Sequence, residues 1–463
     1  MKSTVVRRAF IVVLAAFLSI SQIPLSRPAH AAVSMSTLSN LDKEEMIARV
    51  LDSMPIRNEY LIVKPQSQLK SSEIEALLAS NGAGIQKVYK SGARLIKVPG
   101  SNRQSLSTLK ELLQNSGAAE YAEYDYVVHT MRQPCNDLLF FKQWGLKNTG
   151  QFIQFIPGKA SIDVNAVPAW NITMGNPQLV VAVLDTGIFL QHPELVDQAW
   201  VNPGEIPGNN VDDDSNGYID DVNGWDFYND DASVYDPGDQ DIHGTHVAGV
   251  IAARQNNIQG ISGIAPRVNI MALKFIGPNG GSVSDAIEAV EYAHSMGVKI
   301  SNNSWGGTEY SQALRDAIEQ SGMLFVASAG NSGANADSAP EYPAAFDCSN
   351  IISVAAINNR GQMPSWSNYG PSSVDLAAPG AGILSILELI PNSTILYGYI
   401  SGTSQAAPFV TGASALILSQ NPSLTAQDVK SRILASARPL PALAGKTVSG
   451  GMLDAYRALT NSI

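Results

Sequence analysis

The 463-residue chain is 45% hydrophobic and only 15% charged, so it can bury a sizeable core and is not a charge-rich disordered protein. Its net charge of -11 speaks against a nucleic-acid partner, because phosphate binding needs clustered Lys and Arg, and two cysteines are too few for a disulfide-built scaffold. Residues 1–132 hold 16 Lys and Arg against 11 Asp and Glu (+5), which leaves 14 against 30 (-16) for residues 133–463 and implies two parts with different tasks.

Lys2, Arg7 and Arg8 precede an apolar run from Ala9 to Ile20, and Ala29-His30-Ala31 offers small residues for cleavage. The pattern predicts an export signal over residues 1–31, cut after Ala31 or Ala32. The apolar run is shorter than the roughly 17 to 25 residues of a membrane span, and no later stretch is long enough. The expected product is secreted, extracellular or periplasmic, with no membrane partner once the signal is removed.

From Glu59 to Val128 the pattern runs β-α-β-β-α-β. Strands are expected at Tyr60–Val63, Ile85–Tyr89, Leu95–Val98 and Tyr121–Val128, and helices at Ser71–Leu78 and Leu106–Leu113. This is a ferredoxin-like order. With a boundary at Thr130–Pro134, it predicts one part over residues 32–132 and a second over 133–463.

In the second part, strand-like runs at Leu179–Leu184, Val268–Phe275, Val298–Asn302, Met323–Ala327 and Ile351–Ala355 alternate with helical patterns. The helices are placed at Val247–Ala253, Val283–Ser295, Tyr310–Gln320 and Gln405–Ser419. Continuous apolar strands are buried on both faces, so a doubly wound α/β domain is predicted: a parallel sheet with helices on both sides. Asn209–Asp241, rich in Asp, Asn and Gly, reads as loop.

Three segments carry chemistry. Asp185 follows the apolar Val181–Leu184 and precedes Thr186-Gly187, at the carboxyl end of a strand where ligands collect in open α/β sheets; alone, such a segment is more often a plain turn. His243, in His243-Gly244-Thr245-His246, has an imidazole that titrates near neutral pH and suits a general base. A zinc reading of His243 and His246 lacks both an intervening Glu and a third His or Cys nearby. His246, His192 and His294 read as packing residues. Ser404 lies in a small-residue turn, Ser401 to Pro408, that runs into a helix whose N-terminus favours developing negative charge; alone, it reads as an N-cap.

In the order Asp, His, Ser, these segments resemble the catalytic motifs of the subtilisin-like serine proteases, the subtilases. The likeness covers Asp137–Ile463, and the upstream unit resembles the family's inhibitory propeptide. The resemblance implies a secreted serine endopeptidase acting on protein and peptide substrates, made as a self-processed zymogen with its own propeptide as intramolecular inhibitor, and monomeric. It makes Ser404 the nucleophile, His243 the base and Asp185 its orienting partner. Asn331, in Ala327-Ser328-Ala329-Gly330-Asn331, then supplies an oxyanion amide beside the Ser404 N–H. Ser304-Trp305-Gly306 and the Phe275–Gly281 segment, including Gly280, are expected to pair with substrate backbone. Gln405 stands where the family usually has Met, which bears on the neighbouring side pocket. Glu341 precedes Tyr342-Pro343 near the expected specificity pocket. Two readings stay open: a carboxylate favouring Lys or Arg, or a solvent-facing Glu beside a roomy apolar pocket.

Asp212 to Asp221 packs five carboxylates into ten residues, and no Lys or Arg lies between Lys159 and Arg254. Crowded like charges favour a cation, and oxygen ligands favour Ca²⁺. Asp212, Asp214 and Asn216 followed by Gly217 match the opening of an EF-hand loop, but Asn223 at its twelfth position departs from it. The expected ligands are Asp212, Asp214, Asn216, Asp220 and Asp221, against the alternative of a solvated acidic loop; the family's frequent use of structural calcium favours the former. Cys135 and Cys348 are expected to pair in an oxidising compartment, with two unpaired buried cysteines as the alternative. A catalytically silent binding module and a metal-dependent hydrolase are the competing functional classes.

Overall fold

The computed structural model describes residues 56–126, 135–239, 241–387 and 397–462. The expected export signal and the boundary at Thr130–Pro134 lie outside the described residues. The chain divides into two compact units, Met1–Arg132 and Gln133–Ile463.

In the first unit, β1 (Ile56–Pro65), α1 (Ser71–Ser80), β2 (Gly84–Val88), β3 (Arg94–Lys97), α2 (Arg103–Asn115) and β4 (Ala119–Tyr126) follow the predicted order. The sheet is antiparallel in the order β2-β3-β1-β4. Leu61 and Val63 of β1 face Ile74, Leu78, Leu106, Leu109 and Leu113 of the helices in a buried core. Alternation at period two on the strand meets helical spacing three and four on the other side. Asn102 starts α2 by accepting the Ser105 N–H at 3.1 Å.

The second unit is built on a nine-stranded sheet. Its strands are β5 (Val180–Asp185), β6 (Gly224–Asp226), β7 (Asn269–Lys274), β8 (Ile300–Asn303), β9 (Leu324–Ser328), β10 (Ile351–Ile357), β11 (Leu376–Pro379), β12 (Arg438–Pro439) and β13 (Gly451–Met452). They lie in the order β12-β13-β11-β10-β9-β8-β5-β7-β6, parallel throughout except for β12 against β13. Helices cover both faces. On one, α3 (Ile242–Ala252) and α6 (Thr403–Gln420) pack on Val181, Val183, Val326 and Val354; on the other, α4 (Val283–Ser295) and α5 (Gln312–Ser321) pack on Ala182, Leu184 and Phe325. Successive strand side chains point to opposite faces, so unbroken apolar runs are what a sheet covered on both sides requires. The doubly wound α/β expectation is met.

The helices α3 and α6 begin earlier than periodicity predicts, at Ile242 and Thr403 rather than Val247 and Gln405. Glycine and threonine in His243-Gly244-Thr245 lower intrinsic helix propensity, and tertiary burial overrides it. The strands β6 and β11 and the helix α7 (Ala426–Ala435) were not anticipated. No helix among the described residues is long and apolar enough to cross a membrane.

The disulfide expectation is corrected: Cys135 and Cys348 are both free. Cys135 packs against the core on the α3 and α6 side of the sheet, whereas Cys348 lies in the α4 and α5 core. The sheet separates the two thiols.

Candidate active site

Asp185 and Ser304, two of the side chains that the sequence singles out, lie at the carboxyl edge of the parallel sheet. Asp185 ends β5. Leu184 is register partner to Asn303 of β8, so Asp185 and Ser304 emerge side by side. Asp185 is 1% exposed, and its Oδ1 accepts the Thr186 N–H at 2.8 Å and lies 2.7 Å from His243 Nδ1. The Asp185 carboxylate accepts only, so Nδ1 of His243 carries the proton and Nε2 is left with a lone pair. Burial pulls the His243 pKa down, but the Asp185 charge and hydrogen bond outweigh it and leave it above the ordinary value.

His243 lies in the first turn of α3, seated on the Asp185–Gly187 turn by the Gly244 N–H donating to Thr186 Oγ1 at 3.1 Å. His246 faces the other way: its Nε2–H donates to the carbonyls of Ile383 at 3.1 Å and Gly398 at 3.3 Å, and burial, aided by the His243 charge, pushes its pKa down to about 3. It is a packing residue, as its sequence context implies.

Ser404 sits in the first turn of α6. Its hydroxyl donates to the Ser304 carbonyl at 3.0 Å, and among the described residues no hydrogen bond joins it to His243. Pro408 lies within the helix and has no N–H to give the Ser404 carbonyl four residues earlier. Ser304 Oγ supplies the missing donor at 2.7 Å, so β8 and α6 exchange two hydrogen bonds here. The Asn331 Oδ1 accepts from Thr403 N at 2.8 Å and Thr403 Oγ1 at 3.1 Å. That fixes the amide's orientation, and among the described residues its NH₂ has no acceptor; a Cβ at Gly402 would lie 3.7 Å from Nδ2. Thr403 is the anchor that sequence reading missed.

Around this cluster, Trp305 stacks edge-on against Phe275 at 4.9 Å. Ile276–Gly277 and Gly280–Gly281 form a short antiparallel hairpin, and Gly306 lies against the Tyr342 carbonyl. Gln405 is buried behind the turn. Glu341 is half-buried. Its Oε1 accepts from Ser332 Oγ at 2.6 Å and Asn368 Nδ2 at 2.8 Å, and its Oε2 presses against Gly330, next to Asn331.

Of the five expected metal ligands, Asp212 and Asp214 come together, with buried Glu205 as the third carboxylate; one oxygen from each lies within 4.8 Å of the others. Asn216 is beside them, donating its N–H to Asp212 and Asp214 at 3.1 Å. Asp220 turns away to hold the N–H groups of Gly208, Asn209 and Asn210, and buried Asp221 accepts from Asn202, Asn216 and the Tyr292 hydroxyl. No described Lys or Arg pairs with Glu205, Asp212 or Asp214, so this oxygen-only, uncompensated donor set fits a hard divalent cation. Glu205 lies seven residues upstream of the repeat, too far for spacing to reveal.

A second acidic group, Asp226, Asp236 and Asp239, also brings its oxygens within 4.8 Å of one another, but Lys274 fills it. The Lys274 Nζ lies 2.7 Å from Asp236 and Asp239 and 3.2 Å from Asp226 and Asp241. A lysine ending a strand buried on both faces was the available signal, since such an ammonium demands partners.

The sequence profile described as the Subtilase family matches residues 176–456. The thermophilic serine proteinase of Bacillus sp. (strain AK1) is 33% identical over 320 residues, 68% of this chain and 67% of that protein. Thermitase of Thermoactinomyces vulgaris is 34% identical over 300 residues, 64% of this chain and 93% of thermitase. Among solved structures, a protease from Pseudoalteromonas arctica PAMC 21717 superimposes with a TM-score of 0.56 at 28% identity, covering 72% of this chain and all of its own. With its doubly wound sheet and an acid–imidazole pair at the sheet's carboxyl edge, the chain belongs to the subtilase family and is a serine endopeptidase.

Proposed function

We propose that Ser404, His243 and Asp185 carry out acyl transfer, and that the chain is made as a secreted zymogen which removes its own residues 32–132. The observation that carries the reading is the 2.7 Å contact between His243 and Asp185 beside the serine-bearing helix start. In the reacting arrangement the Ser404 hydroxyl gives up the Ser304 carbonyl and donates to His243 Nε2 instead. His243 then takes the hydroxyl proton as Ser404 Oγ attacks the scissile carbonyl, and Asp185 stabilises the imidazolium. The tetrahedral oxyanion meets two donors: the Asn331 amide and the Ser404 N–H, one of the helix's first four N–H groups that have no intrahelical partner. Loss of one such donor costs about 3 to 4 kcal/mol, the size found for the side-chain donor in subtilisin itself. His243 passes its proton to the leaving amine, the acyl-enzyme forms, and water reverses the sequence.

The Ile276–Gly281 hairpin and Ser304–Gly306 supply main-chain partners for an extended peptide, a mode that tolerates many sequences. Glu341, whose carboxylate lies beside Gly330, is read as contributing a negative charge to the expected specificity pocket, which would favour Arg or Lys before the scissile bond. The Glu205, Asp212 and Asp214 cluster, with Asn216, is read as a structural Ca²⁺ site. Its role is to neutralise the loop and not to take part in the reaction.

Replacing Ser404 by Ala tests the reading. Peptide hydrolysis should fall by on the order of 10⁶-fold, as loss of the nucleophile does in subtilisin, and residues 32–132 should stay attached. Normal trimming of the Ser404→Ala chain would assign processing to another protease.

A further inference from the structure

Lys274 ends β7, and its Cα is register partner to Asp185 in the adjoining strand. Its side chain is 0% exposed. Four carboxylates from three parts of the fold surround the ammonium: Asp226 on β6, Asp236 and Asp239 on the loop before α3, and Asp241 at the start of α3. Burial pulls the Lys274 pKa down, but the hydrogen bonds it donates to Asp236 and Asp239 and the charges of Asp241 and Asp226 outweigh this and raise it.

The arrangement reaches His243 by a short path. Asp241, two residues before His243, accepts the Asp236 N–H at 2.8 Å, is gripped by Lys274, and lies with its carboxylate against Gly187, two residues beyond Asp185. A side chain at Gly187 would collide with that carboxylate, and one at Gly244 would collide with the Gly187 carbonyl. The start of α3 is thus clamped to the turn that follows Asp185, with the ammonium as the clamp's centre. We propose that Lys274 is a positioning residue for His243, fixing the helix start against the Asp185 turn and setting the net charge that the imidazole feels from behind.

With all four carboxylates ionised, one ammonium leaves three negative charges in excess. The groups facing His243 are then Asp185 on β5, Asp241 on its own helix start, His246 one turn along, and Lys274 with Asp226, Asp236 and Asp239 behind them. Burial raises Asp241 to about 6 despite its hydrogen bond to the Asp236 N–H and the charge of Lys274. Because the loop, the β6 edge and the helix all answer to one cation, changing that cation alters the field at His243 as well as the packing.

The inference rests on His243 being the base, and activity surviving in His243→Ala would remove that reading separately. The test compares pH profiles of kcat/KM for the mature enzyme, Lys274→Met and Asp241→Asn, with circular dichroism confirming that each is folded. Lys274→Met should move the acid limb to higher pH and Asp241→Asn to lower pH, each by on the order of half a unit, the size of a screened through-space charge effect. kcat should fall with KM nearly unchanged. A purely structural role would lower activity in both without opposite shifts. Limbs that coincide with the parent enzyme's, or that move in the same direction, overturn the proposal. If Lys274→Met does not fold, Asp241→Asn decides it alone: an acid limb not displaced downward overturns it.

Discussion

At His243, the Asp185 carboxylate is the nearest charge and the main support of the protonated ring. Burial opposes its charged form and the Asp185 carboxylate more than restores it, so the folded pKa lies above the ordinary 6.5. In the proposed mechanism His243 must be neutral to accept the Ser404 proton, so activity should be present above that raised value and be lost as pH falls through it. kcat/KM for a neutral ester substrate should show an acid limb with its midpoint above 6.5; a midpoint below it would contradict the balance drawn here. Glu341 makes a second residue-level claim. With matched peptides ending in Arg or Phe, Glu341→Gln should lower the Arg to Phe ratio of kcat/KM by about tenfold, the worth of one charge-assisted contact of roughly 1.4 kcal/mol. An unchanged ratio would take Glu341 out of the pocket.

The loop from Glu205 to Asp221 owes its shape to its own carboxylates, which accept N–H groups from both of its arms. Asp213 and Asp214 donate to Glu205, and Gly217 donates to Asp212. A cation bound only by the folded loop adds RT ln(1 + [L]/Kd), about 2.7 kcal/mol at a hundredfold excess over Kd and hence several degrees in Tm. Tm should rise between chelator and millimolar Ca²⁺, and Asp212→Asn should reduce that rise; equal Tm in both solutions would contradict the calcium reading. Elements of this kind divide what sequence reveals from what it hides. The strands from Leu179 to Ala355 were legible because burial on both faces leaves continuous apolar runs, and α4 matches its predicted bounds, Val283–Ser295. The starts of α3 and α6 were not, because Gly, Thr and Ser weaken local helix propensity at the very positions where a close approach to the sheet edge needs them. Spacing within ten residues found Asp212 and Asp214. Glu205 and Lys274 come from other segments, and only folding brings them in.

At the scale of the molecule, the chain divides into two compact units, Met1–Arg132 and Gln133–Ile463, each with its own core. The self-cleavage proposed above should fall close to the boundary between them. Both the cut and the later turnover of substrate depend on the same claim, that Ser404 is the nucleophile. The most direct measurement is peptide mapping by mass spectrometry of the mature wild-type enzyme after partial inactivation with an irreversible serine-directed reagent. A single adduct on Ser404, rising in proportion to the activity lost, is the predicted result. Complete inactivation with Ser404 unmodified, or a fully modified Ser404 in an enzyme that still turns over, would contradict it.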